Sequence, residues 1–125
     1  MPIEHVRVSQ GARDQLITLK RRTGITQWNV LCRWALCRSL AEPSPPPSLK
    51  LTLDSSVEMS WRTFGGDLGD TYWGLLKMRS RQDGIPIDEE SLAQQFRLHL
   101  HRGIGYLVGD PRLTDVVGLA RIGLD

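Results

Sequence analysis

Between Trp28 and Leu40 the chain places apolar residues on nearly every side of a helix, with Trp28, Val30, Leu31, Trp34, Ala35, Leu36 and Leu40 spread over several faces. A helix with so little polar surface must be covered on most sides. In a chain of 125 residues, that leaves a subunit interface or a core closed by the rest of the chain. The segment is bounded at its start by Ile25 and Thr26. Thr26 reads as an N-cap, and Ile25 is spaced to staple onto Val30, so the helix should begin at about residue 27.

Upstream, Ile3 to Val8 is rich in β-branched residues and reads as a short strand. Ser9 then offers an N-cap to a helix over roughly 10–23, whose Ala12, Leu16, Leu19 and Thr23 form one narrow stripe. Gly24 follows as a residue able to take positive φ and close the helix. Downstream, Pro43 to Ser48 contains three consecutive prolines and reads as a stiff polyproline connector rather than a ligand for an SH3-type domain. It is expected to separate a basic front, residues 1–42, from the remainder, 49–125, within one compact domain spanning 1–125.

In that remainder, 49–53 and 57–61 both alternate around a turn-like Asp54-Ser55-Ser56, a pattern compatible with a short hairpin. Asp67 to Asp70 leads into a helix through Met78, with the aspartates read as caps. Asp88 caps a longer helix carrying Leu92, Phe96, His99 and Leu100 on one face, and Pro111 opens a last helix through Val116, Val117 and Leu119. The fold class is therefore mainly α: an N-terminal strand-helix-helix, a short hairpin and further helices.

Charge is distributed unevenly. Residues 1–40 hold seven Lys/Arg against two acidic residues, net +5, whereas the remainder holds nine against twelve, net −3. Such asymmetry points to a polyanion-facing front, the plainer alternative being a solvated basic surface. Arg13 and Lys20 share an edge of the first helix, and Arg21 and Arg22 fan out beside the Thr23-Gly24 turn. Cations there also complement the helix dipole, so part of the pattern needs no ligand. Asn29 and Arg33, four apart on the polar strip of the second helix, form a phosphate-binding corner near its positive end; equally, Arg33 could hold a carbonyl across a subunit boundary. Lys77, Arg79 and Arg81 form a second basic group, read as solvated.

A catalytic constellation is missing from the sequence. His99 and His101 lie about 160° apart on a helix and cannot share an ion, so His99 is read as packed and His101 as exposed. The glycines from 103 to 109 have neither the spacing nor the ending of a phosphate loop and fit close helix packing or a helix break better. Cys32 and Cys37 point about 140° apart on their helix and read as reduced core or interface residues. No cofactor or metal is expected. With neither a signal peptide nor an apolar run long enough for a membrane span, a cytoplasmic protein is the default.

The front resembles ribbon-helix-helix proteins, which pair N-terminal strands between two chains. More specifically, Arg22 to Thr26, Asn29 to Leu36 with Ser39-Leu40, Arg62 to Gly66, and Leu98 to Leu107 resemble, in order, blocks of the DNA sulfur modification protein DndE family. The proline connector departs from that pattern. The resemblance implies a non-catalytic, DNA-binding role in DNA phosphorothioation, with a preference for nicked duplex. It also implies assembly into a homo-oligomer, a dimer or tetramer, beside other DNA sulfur modification proteins. The DNA-facing set is then Arg13, Lys20, Arg21, Arg22, Gly24, Asn29 and Arg33. The alternatives are a ribbon-helix-helix repressor reading bases with His5 and Arg7, or a DNA-free scaffold for partner enzymes.

Overall fold

The computed structural model describes residues 3–124; Met1, Pro2 and Asp125 lie outside them. The order of elements is β1 (His5–Arg7), α1 (Gln10–Thr23), α2 (Trp28–Leu40), β2 (Glu58–Ser60), α3 (Trp61–Gly65), a single 3-10 turn (Gly66–Leu68), α4 (Gly69–Gln82), α5 (Glu89–Gly109) and α6 (Val116–Leu124). The protein is mainly α, as its patterning predicts.

The first helix follows its local signals. Ser9 Oγ accepts from the Ala12 amide, and Gly24, at φ 74°, closes the helix by donating to the Lys20 carbonyl. Ala12, Leu16, Leu19 and Thr23 are all buried. The second helix differs at its start, because Gln27 rather than Thr26 holds the N-cap position and makes no side-chain cap. That shift moves Ile25 out of the N′ position a staple to Val30 requires.

α2 is covered by the rest of the chain. α5 runs antiparallel along it, with Ser39 beside His99 and Arg102, and Ala35 beside Gly103. A Cβ on Gly103 would lie 1.7 Å from the Ala35 carbonyl oxygen. Close packing therefore explains this glycine, and α5 continues unbroken to Gly109. Leu31, Cys32, Ala35 and Leu36 are fully buried between α5, α1 and α3, while Trp28 and Trp34 are half-buried against the same core. At the other end, Trp61 meets Phe64, Trp73 and Phe96 with ring centroids 5.2–5.6 Å apart. Trp73 and Phe96 stand edge-on to it, the arrangement aromatic quadrupoles favour.

The hairpin expected over 49–61 does not form. β2 pairs instead with β1, antiparallel, with Val6 opposite Met59. The turn-like Ser55 is part of this ribbon: it is buried, and both its amide and its hydroxyl donate to the Val8 carbonyl. Residues 49–53 form no regular element and have no ladder partners, and Gln94 of α5 donates to the Leu49 carbonyl. Trp61, expected to end a strand, opens α3 under the Ser60 cap.

The proline connector does not hold the front away from the remainder. Pro46 is buried, Arg79 donates to the carbonyls of Leu40 and Ser44, and Arg102 also donates to Ser44. Arg79 is itself buried and paired with Asp83 at 3.0 Å. It is thus a structural clamp rather than a member of a solvated basic group; Lys77 and Arg81 remain exposed.

Further along the chain, neither Asp67 nor Asp70 caps α4, whose N-cap position is Leu68 without a side-chain bond. Asp88 does cap α5. Pro111 sits in a turn, and α6 begins only at Val116, after Asp115 has accepted from the Gly118 amide. Among the described residues, no helix is long and apolar enough to cross a membrane.

Candidate nucleic-acid interface

The basic last turn of α1 and the first turn of α2 meet around Gly24. Lys20 Nζ lies 3.5 Å from the centre of the Trp28 ring, a cation–π contact that ties the end of one helix to the start of the next. Beside it Arg21 is exposed. Arg22 differs from both. Its Nη1 donates to the Val108 carbonyl at 2.7 Å, so it fastens α1 to the end of α5 instead of fanning into solvent. Arg13 lies two turns before Lys20 on the same edge, about 10 Å along the axis, and makes only a loose 3.9 Å pair with Asp14. Exposed pairs of this kind contribute little and yield readily to a stronger anion.

Asn29 and Arg33 leave α2 on another side. Asn29 Nδ2 donates to the Thr63 carbonyl, and Arg33 Nη1 lies 3.7 Å from where a Cβ would stand on Gly66. Gly66 holds φ 54°, where L side chains are strained. The expected set therefore divides into two groups flanking the first turn of α2. Lys20, Arg21 and Gly24 stand on one side, and Asn29 and Arg33 on the other. Between them, the amides of that turn have no side-chain cap. Such a turn carries partial positive charge directed outward.

Three contributors were not read from the residues: Trp28 as the platform for Lys20, and Thr63 and Gly66 as the neighbours of Asn29 and Arg33. The Arg62 to Gly66 block gave a signal, but nothing in its spacing ties it to α2. On the ribbon, His5 and Arg7 both turn to Glu58 across the strands, which holds that carboxyl below its usual range mainly through the Arg7 hydrogen bond.

The histidines of α5 are both occupied structurally. His99 is buried with Nδ1 2.8 Å from Ser39 Oγ. His101, expected to be exposed, is half-buried: Nε2 accepts from the Ser9 amide, and Nδ1 lies 2.7 Å from the Arg97 carbonyl. Cys32 is buried and Cys37 exposed, so only the first is a core residue. Among the described residues no group of three or more His, Cys, Asp or Glu side chains is placed to hold a metal ion.

Fold and site together define a small, mainly α protein whose candidate site is a set of cations about a helix junction. The family model for DNA sulphur modification protein DndE matches residues 5–115, and the chain belongs to the DndE family of DNA phosphorothioation components. Among solved structures, the chain is similar to DndE from Escherichia coli B7A, involved in DNA phosphorothioation modification. That likeness has 28% identity and a TM-score of 0.71 over 86% of this chain and 98% of the other. A glycine-to-lysine mutant of DndE, involved in DNA phosphorothioation, shares the fold at 23% identity and a TM-score of 0.67, with the same coverage. No curated protein sequence matches the chain.

Proposed function

We propose that this protein is a non-catalytic, cytoplasmic component of the DNA phosphorothioation machinery that binds the backbone of duplex DNA, with a preference for nicked duplex. The observation that carries the reading is the uncapped first turn of α2 with cations on both flanks, Lys20 and Arg21 on one and Arg33 on the other. Outward amides and guanidinium groups suit phosphate oxygens, and they recognise backbone geometry rather than base edges. A nick relaxes that geometry and lets the strand follow a bent surface. The protein then contributes by holding a site for other DNA sulfur modification proteins, working as a homo-oligomer. In this reading Arg22 belongs to the scaffold and leaves the DNA-facing set.

Gel shifts with intact, nicked and single-stranded DNA of one sequence test the reading. Salt-sensitive binding, tightest for the nicked duplex, is expected, with all three substrates left uncut in magnesium, manganese, zinc or ATP. Metal-dependent cleavage that disappears on changing Asp67 or Asp70 would overturn the non-catalytic assignment. Absence of any DNA binding would leave only a scaffold.

A further inference from the structure

Beyond the helix junction, the C-terminal half of α5 and the turn after it form a second basic feature. Arg38, Gly105, Tyr106, Gly109, Asp110 and Arg112 line an open pocket of about 460 Å³. The Arg38 guanidinium lies 4.8 Å from the centre of the Tyr106 ring, and that of Arg102 lies 5.5 Å from it. The two arginines are used differently. Arg102 donates to Ser39 Oγ and to the carbonyls of Ser39 and Ser44. Arg38 is held by the aromatic face and donates no hydrogen bond among the described residues. A guanidinium held over a ring without hydrogen bonds of its own keeps N–H groups available for the oxygens of a phosphate.

Asp110 does not close the pocket to anions. Arg112 binds it through its backbone amide, Nε and Nη2, and these bonds chiefly hold the Asp110 carboxyl below its usual range, with Arg38 adding a weaker pull. Its charge is therefore largely matched before Arg38 is counted.

The floor is bare as well. Gly105 and Gly109 lie one helical turn apart in α5, and a Cβ on either would meet nothing within 4 Å. Unlike Gly103, they have no packing reason within the chain. Gly105, inside the helix, costs it about 1 kcal/mol relative to alanine. The pocket also adjoins the helix junction, because Arg22 docks on the carbonyl of Val108, next to Gly109.

We propose that the Arg38–Tyr106 pocket is a second phosphate-contact point, taking one backbone phosphate of the same DNA that the α1–α2 junction binds. The inference rests on the DNA-binding reading above. It is tested with the full chain on fluorescently labelled nicked duplex over a series of salt concentrations. R38Q and R38K are compared with R81Q, a change at an exposed arginine on α4. R38Q should bind several-fold more weakly and flatten the log–log salt dependence by about 0.9, the amount expected for one lost phosphate contact. R38K should keep the wild-type slope with reduced affinity, and R81Q should match the wild type. A thermal melt of R38Q should fall below the wild type by no more than the small contribution of the Arg38–Tyr106 contact, since Arg38 makes no buried bond. An unchanged slope in R38Q, or a changed sedimentation mass with an unchanged slope, overturns the pocket while the junction reading stands. A wild type without salt-sensitive binding overturns the reading beneath it.

Discussion

At the scale of single residues, identical side chains are separated by what they reach. Arg22 and Arg79 are bound to backbone carbonyls, whereas Arg21 and Arg38 keep donors available. No local sequence signal distinguishes them, because the carbonyl that Arg22 holds lies 86 residues away. His99 shows the same dependence on remote groups. Burial, then the nearby Arg102 and Arg79, pull its pKa from 6.5 down to about 4, against a smaller opposing effect of Asp83. The fold thus favours neutral His99, and the unfolded chain takes up the proton first. Its contribution is fully present above about pH 6.5, falls as the pH drops through that value, and is lost by about pH 4. The loss amounts to roughly 3 kcal/mol. Urea denaturation of the wild type and H99Q between pH 7 and 4 should show the steeper decline in the wild type; parallel profiles would remove His99 as the cause.

At the scale of elements, legibility follows how local each signal is. α1 is readable from Ser9 to Gly24 because cap, stripe and stop all lie within it. The cap of α5 at Asp88 is local in the same way. The ribbon is not, because alternation at 57–61 identifies a half-buried extended segment without naming its partner. The nearest candidate, 49–53, joins no ladder, and its Leu49 stays exposed beside α5. The apolar coat of α2 calls for a cover, and the chain supplies it through α5 and the glycine at 103. G103A should cost about 3 kcal/mol in urea denaturation, because its Cβ would press on the Ala35 carbonyl and force the helices apart. G105A, facing open space on the same helix, should be neutral or stabilising by up to about 1 kcal/mol. Equal effects of the two changes would contradict the close α2–α5 approach.

At the scale of the whole molecule, the family was legible in ordered blocks, while the site was legible only as a list of cations. Sequence spacing placed Arg13 and Lys20 on one edge, with Arg21 and Arg22 fanning out beside the Thr23-Gly24 turn, and could not show that Asn29 and Arg33 stand apart with α3. That the helix junction grips the DNA backbone is tested by the salt dependence of binding for K20A/R21A, which leaves the Arg22 clamp intact. Nicked duplex should bind the double variant more weakly, with the log–log slope flattened by about 1.8, for two lost phosphate contacts, and with no loss of thermal stability beyond the small contribution of the Lys20–Trp28 contact. A double variant with wild-type affinity and slope would contradict the claim and move the DNA-binding face elsewhere on the molecule.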